Sequence, residues 1–273
     1  MIYLPHSGKC PPGLRAPPRL RPAVPMSRVL ILTATLSATA AIELPLLPTP
    51  AAFVILPGER RRFATNSDRM CRLLSPNACV AQLLERPGGN FDVAPILKVT
   101  DLFDGCAELT CVGRGRLGAR RESRGVARAE IEPLYDQAPS HQIDAACLSV
   151  RILYHSCHSL AESARRDPDE LSASVSDVVD LFDAPLETLL KERDASISEA
   201  LSGVRGCERD LHTMANDACL QMLSLTTVRL LSPKARASLV VSHDTCYRLR
   251  RAEAALRVFE QQLVDEICAC LHT

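Results

Sequence analysis

Residues 93–112 read Val93-Ala94-Pro95-Ile96-Leu97-Lys98-Val99-Thr100-Asp101-Leu102-Phe103-Asp104-Gly105-Cys106-Ala107-Glu108-Leu109-Thr110-Cys111-Val112, and they decide the fold. Two apolar runs, Val93 to Leu102 and Cys106 to Val112, flank Phe103-Asp104-Gly105, and Asp-Gly between alternating strands is a strong hairpin signal. Strand alternation then predicts Ala107, Leu109 and Cys111 facing the core, with Glu108 and Thr110 facing out. Upstream, Leu44-Pro45-Leu46-Leu47-Pro48 and Phe53-Val54-Ile55-Leu56-Pro57-Gly58 read as strands, short apolar runs punctuated by proline as strand edges and bulges require. Ser67 to Leu74 reads as a short helix with Met70, Leu73 and Leu74 on one face. Ala78 to Leu84 reads as a strand, followed by the turn Arg86-Pro87-Gly88-Gly89-Asn90. Downstream, Gly113, Gly115, Gly118 and Gly125 mark tight turns or bulges, and Val126 to Pro133 is a last strand. This set of short strands predicts a small, closed or nearly closed barrel.

Past residue 140 the apolar period changes to that of helices. His141 to Arg166 reads as one helix. Val175, Val178 and Phe182 carry a second, which Asp183-Ala184-Pro185 interrupts before it resumes to about Arg193. Leu211, Met214, Ala218, Met222 and Leu225 give another stripe. Ser232-Pro233 is an N-cap followed by proline at the first helical position, starting a helix through Val241. Leu249, Ala252, Leu256, Phe259, Leu263, Ile267 and Cys270 step by three or four along the final helix.

The 273 residues hold 32 basic and 32 acidic side chains, 47% hydrophobic residues and 12 cysteines. That composition suits a globular chain with a real core, and the neutral balance argues against a global polyanion binder. No uncharged apolar run reaches the length of a membrane-spanning helix, which takes roughly 20 residues. The cysteines show no C-x-x-C and no repeated spacing. His155 with Cys157-His158, and Cys268-Ala269-Cys270-Leu271-His272, are the sharpest metal candidates, but neither has the second knuckle of a zinc site. The cysteines therefore read as small packing residues, and no metal or cofactor is expected.

Residues 1–42 carry no acid until Glu43. Lys9, Arg15, Arg19, Arg21 and Arg28 are basic, and seven prolines from Pro5 to Pro25 prevent a regular helix. Met26-Ser27-Arg28, the uncharged run Val29 to Ile42, and Ala38-Thr39-Ala40 are the parts of a cleavable leader. The expectation is delivery to an organelle, the plastid first, or entry to the secretory pathway, with a cytoplasmic chain as the alternative. Either Met1 or Met26 is compatible with this.

Phosphate-loop, nucleophile-elbow, H-E-x-x-H and EF-hand spacings are all missing. Gly113, Gly115 and Gly118 satisfy the bare dinucleotide spacing, yet polar, Arg-rich sequence follows where a helix with an apolar stripe is needed. The unusual charge feature is Arg114, Arg116, Arg120, Arg121, Arg124 and Arg128. It reads first as a charged edge that protects a barrel from aggregation, and second as a phosphate-binding strand. At 4% aromatic with no tryptophan, the chain offers few platforms for stacking bases.

Two stretches together resemble the N-terminal substrate-binding domain of Lon proteases, which is also found as a stand-alone module and in cereblon-type proteins. Leu44 to Pro48, then Val54 to Gly58 and on to Arg69, is similar to the family's Leu-Pro-Leu-Phe-Pro-Leu opening, its Pro-Gly, and a short helix carrying an arginine. Ser67 stands where the family has a glutamate. Val93 through Asp104-Gly105 to Gly113-x-x-Arg116-Leu117 is similar to the family's hairpin ending, with Leu117 for an aromatic residue. Leu230-Leu231-Ser232-Pro233, Asp244-Thr245 and Arg248-Leu249 are similar to the closing helices. The likeness covers roughly residues 43–265.

It implies an α+β fold: a PUA-like small β-barrel over 43–138, followed by a C-terminal helical bundle over 139–273, with 1–42 as leader or disordered segment. The motif residues are Pro57, Gly58, Arg69, Gly113 and Arg116. The family's ATPase and Ser–Lys peptidase parts are missing from these residues, so the expectation is a non-enzymatic module. It would bind polypeptide segments or a protein partner as a substrate-recognition or adaptor unit. RNA binding through the Arg114–Arg128 strand is the alternative.

Overall fold

The Asp-Gly hairpin forms the middle of the sheet. β5 (Val93–Phe103) and β6 (Cys106–Ser123) run antiparallel from the Phe103↔Cys106 pair outward, with Gly105 at φ +75 closing the turn. This is a computed structural model, and it describes residues 42–64, 73–103, 105–135, 140–166, 173–202 and 218–270. The long β6 keeps β5 on one side. On its other side it takes β2 (Arg60–Ala64) near its start and β7 (Val126–Pro133) near its end. β1 (Ile42–Pro50) pairs antiparallel with β7 through its first half and parallel with β3 (Cys79–Arg86) through its second. Because β3 also pairs with β5, the ring β1-β7-β6-β5-β3 closes on itself, and β4 (Gly89–Asn90) folds back on β3.

Two irregularities curve β6, one where Val112 is passed over opposite Ile96–Leu97 and one between Leu117 and Arg120. Gly115 is needed where β6 and β7 come together, since a Cβ there would lie 2.2 Å from Ile131 Cγ2. β3 has apolar side chains on both faces. Ala81 and Leu83 join one buried cluster, Val80 a second and Leu84 a third, which explains its near-continuous apolar run.

Three strand expectations need correction. Phe53 to Gly58 is not a strand. Ala51–Phe53 is one 3-10 turn, Val54 to Leu56 are buried without ladder pairing, and Pro57-Gly58 turns the chain. β2 was not expected, because Arg60-Arg61-Arg62 carries no apolar alternation. Thr110 is fully buried rather than solvent-facing, because the face that it shares with its partner Lys98 is covered too. The helix expected over Ser67 to Leu74, with Arg69, lies outside the described residues except for its last two positions.

The helices are α1 (His141–Ala164), α2 (Ala173–Leu181), α3 (Leu186–Leu201), α4 (Ala218–Val228), α5 (Pro233–Val240) and α6 (Thr245–Cys270). Ser140 caps α1, accepting from Ile143 N at 3.3 Å, and Asp244 caps α6 through Tyr247 N at 2.8 Å. Ser232 accepts from Ala235 N at 3.5 Å, with proline at the first position of α5. α1 and α6 lie side by side in the same direction, with Ser149 bonded to Glu253 and Ser156 to Glu260. Their shared core is knit by Tyr154, Phe182 and Phe259 in edge-on pairs. Helix α3 runs on to Leu201 instead of stopping near Arg193, because Ile197, Ala200 and Leu201 pack into the apolar cluster of the barrel strands. The stripe positions Leu211 and Met214, and residues 1–41, lie outside the described residues. Among the described residues no helix is long and apolar enough to cross a membrane.

Candidate functional site: a groove between barrel and helices

A groove of about 950 Å³ lies where the barrel rim meets α5. One wall is the end of β1 and the 3-10 turn, Pro50, Ala51 and Ala52. The second is the β3–β4 turn and its flanks, Glu85, Arg86, Pro87, Phe91 and Asp92. The third is the outer face of α5, with Lys234, Ala237, Ser238 and Val241. The groove's apolar lining residues Ala51, Phe91, Ala237 and Val241 belong to one cluster with the buried Val54, Leu56 and Leu84 from the barrel side and Leu225, Val228, Leu239 and Val240 from the helices. Arg86 lies over the Phe91 ring at 4.5 Å, which holds that wall. Phe53, at the end of the 3-10 turn, is 56% exposed. The lining charges balance, with Arg86 and Lys234 against Glu85 and Asp92.

Buried polar side chains fix these walls. Gln82, fully buried on β3, accepts from Ile55 N at 3.1 Å and donates to Thr49 Oγ1 at 3.0 Å and Phe53 O at 2.9 Å. It satisfies the backbone of a segment that has no ladder partner, which is why Val54 to Leu56 can be buried without being a strand. Arg114, 1% exposed, reaches from β6 to donate to Val240 O at 2.6 Å and Ser242 O at 3.0 Å, at the end of α5. Arg248, also buried, donates to Ser242 O at 2.6 Å and Ser224 Oγ at 3.1 Å. The α5–α6 connection is therefore held by two guanidinium groups, one from the barrel and one from α6.

The motif residues are scattered around this arrangement and do not converge. Pro57 and Gly58 occupy the centre of a turn closed by Glu59 N to Leu56 O at 2.9 Å. Gly58 has φ +78, and a Cβ on it would sit 2.5 Å from Arg193 Cβ on α3. The Arg193 guanidinium donates to Pro57 O at 3.2 Å and to Glu59 Oε1 at 3.5 Å. Burial lowers its pKa, and Glu59 opposes that. Pro57-Gly58 is thus the seat of α3. Gly113 lies in β6 at the first irregularity, where its carbonyl accepts from Cys111 Sγ. Arg116 is on the surface, 3.9 Å from Glu132. Arg69 lies outside the described residues.

The arginine strand separates into buried and surface members. Arg114 is one of the most buried side chains, which corrects its place in a solvated edge. Arg121 faces Glu43 and Glu130 at 3.3 and 3.0 Å, and Arg128 faces Glu43 at 2.9 Å. Much of the positive charge is thus matched across the β1–β7–β6 surface. Cys111 and Cys157 are buried thiols whose pKa values are pushed up to about 12 by burial. Among the described residues no group of three or more His, Cys, Asp or Glu is placed to hold a metal.

Of the residues that fix the groove walls, Arg248 entered the sequence reading only through the likeness to the closing helices, and Gln82 was missed, although an amide inside an otherwise apolar strand was its signal. No protein-family model and no curated protein matches the sequence. Among solved structures, the chain is similar to a Lon N-terminal domain protein from Xanthomonas campestris, at 18% identity and TM-score 0.34 over 77% of this chain and 96% of that one. It is also similar to the N terminal domain of Mycobacterium avium complex Lon protease, at 14% identity and TM-score 0.48 over 79% of this chain and 98% of that one.

Proposed function

We propose that this chain is a non-enzymatic module that binds polypeptide segments in the groove between barrel rim and α5, as a substrate-recognition or adaptor unit. The observation that carries the reading is the groove itself: apolar residues on each of its three walls, two prolines, and four balanced charges, with the exposed Phe53 next in sequence to its lining. A cleft of that make-up buries apolar side chains while its rim charges orient a chain of either sign. The RNA alternative has less support, since Arg114 is withdrawn into the interior and Arg121 and Arg128 face carboxylates. The acid-free first 42 residues support delivery to an organelle, and N-terminal sequencing of the protein recovered from cell fractions tests that part.

The binding reading is tested by titrating a fluorescent unfolded polypeptide into the full chain and into two variants, Ser238→Trp in the groove and Phe53→Asp beside it. Both positions are exposed, so both variants should melt like the parent. Affinity should fall about tenfold or more in each, a loss of roughly 1.4 kcal/mol. Parent-like affinity in both variants would remove the groove from the binding surface.

A further inference from the structure

The barrel carries a thiol and an amine in one cross-strand row that peptide binding leaves unused. Cys79 on β3 is paired directly with Lys98 on β5, and Lys98 directly with Thr110 on β6. Directly opposed residues project from one face with Cβ atoms about 4.5–5.5 Å apart. Lys98 is 2% exposed, unusual for a lysine. Its Nζ donates to the Asn77 carbonyl oxygen, and Asn77 Oδ1 lies 3.4 Å away. Asn77, in the left-handed region at φ +62, stands two residues before Cys79, so the amine is tethered beside the segment that carries the thiol. Thr110 is fully buried, and its hydroxyl has no hydrogen-bond partner among the described residues. Cys79 itself is only partly buried, at the margin of the barrel's apolar cluster.

We propose that Cys79 and Lys98 form an oxidation site, in which a peroxide oxidises the thiol and the amine then captures the product as an S–N bond joining β3 to β5. In the first step the Cys79 thiolate attacks one peroxide oxygen and the O–O bond breaks. Sulfur gives up two electrons and becomes sulfenic acid, while the other oxygen leaves and is protonated to water. In the second step the Lys98 nitrogen lone pair attacks sulfur, the S–O bond breaks, and the hydroxyl departs as water with a proton from nitrogen. Thiol, amine and peroxide thus become a sulfenamide and two waters, and an added thiol reductant reverses the linkage. Burial draws the Lys98 ammonium below the ordinary lysine range, although the neighbouring Cys79 sulfur opposes this. The neutral amine required by the second step is correspondingly easier to reach. Cys111 and Cys157, buried and with raised pKa values, lack the thiolate character for the first step.

The test treats the full chain with hydrogen peroxide, natively and in urea, and maps peptides by mass spectrometry with and without dithiothreitol. The expected product joins the Cys79 and Lys98 peptides at a mass two hydrogens below their sum. It should be lost on reduction, absent from Cys79→Ser, and absent when oxidation is done in urea, where the strands no longer pair. In Lys98→Arg, a dimedone adduct should accumulate on Cys79 in place of the crosslink. If native Cys79 is labelled by dimedone no faster than the exposed Cys268 and no crosslink forms, the proposal fails. It fails equally if the crosslink forms as well in urea as in buffer.

Discussion

Replacing Gly58 by alanine tests the seat of α3 directly. At φ +78 an alanine must adopt the left-handed region, which costs about 1 kcal/mol relative to glycine. The added methyl would also lie 2.5 Å from Arg193 Cβ, 2.8 Å from its Cγ and 2.9 Å from its Cα. Carbon atoms prefer roughly 3.5–4.0 Å, so α3 must retreat by about an ångström. The last of these atoms belongs to the backbone and cannot rotate away. Retreat loosens Ile197, Ala200 and Leu201 in the barrel cluster and draws Arg193 from Pro57 O. Overpacking of this kind costs about 1–3 kcal/mol, so the total is about 2–4 kcal/mol. Two other glycines separate the contributions. Gly125 has φ +73, and a methyl added there would have nothing within 4 Å, so Gly125→Ala should cost only about 1 kcal/mol. Gly115 lacks positive φ but would meet Ile131 Cγ2 at 2.2 Å, so Gly115→Ala should cost about 1–3 kcal/mol from crowding alone. Urea unfolding at fixed pH, followed by circular dichroism, reads all three as midpoint shifts at constant m-value. If Gly58→Ala costs no more than Gly125→Ala, α3 does not sit on this turn and the account of Pro57-Gly58 is wrong.

Other outcomes follow from single residues. Arg114→Ala deprives Val240 O and Ser242 O of a buried donor and should cost about 2–4 kcal/mol, whereas Arg116→Ala, two residues on, should stay within about 0.5 kcal/mol. Equal costs in thermal melts would contradict the division of the arginine strand into buried and surface members. Gln82→Leu removes three hydrogen bonds to the groove wall. It should cost about 2–4 kcal/mol, with faster amide exchange at Ile55, and protection unchanged there would refute its clamping role. Cys111 and Cys157 titrate near 9.0 unfolded and about 12 folded, so the unfolded chain releases these protons first as pH rises. Stability should therefore hold below pH 9 and fall between about 9 and 12, by up to about 1.4 kcal/mol per pH unit from Cys111, with Cys157 adding in the same direction. Urea midpoints at about pH 8 and about pH 10.5 check this, and Cys111→Ala should flatten the difference.

The hairpin, the closed ring and most helix starts were legible because their signals are local. Asp-Gly, Ser-Pro, and apolar steps of two or of three and four specify backbone geometry without reference to distant partners. What was not legible depended on those partners. Arg114 sits in a run of surface arginines and looks like one of them; only the approach of the α5–α6 connection makes it a buried clamp. Thr110 obeys the alternation, yet its face is covered by the closure of the ring. Arg60-Arg61-Arg62 forms a strand because β6 supplies the ladder, not because of any apolar pattern of its own. The groove draws its walls from Pro50, Arg86 and Ser238 and their neighbours, so no single window of sequence contains it.

The segment from Pro50 to Glu59 shows why the motif residues and the candidate binding surface part company. Its first half lines the groove through Pro50, Ala51 and Ala52 and leaves the adjoining Phe53 exposed. Its middle, Val54 to Leu56, is buried, with the Ile55 amide bonded to Gln82 and the Leu56 amide to the Glu59 carboxylate. Its end, Pro57-Gly58, is taken up by α3 through Arg193. A residue whose own surface is covered by a helix has little left for a ligand, so the glycine and proline that make this segment recognisable serve its placement. On the proposed binding reading, recognition falls to the neighbours whose identity the backbone does not dictate, Ala51, Ala52 and the adjoining Phe53, together with Ser238 and Lys234 across the groove. Changes at Gly58 should accordingly lower stability and affinity together, whereas changes at Phe53 should lower affinity alone. A Phe53 variant that lost stability in proportion to affinity would place that side chain in the core and remove it from the binding surface.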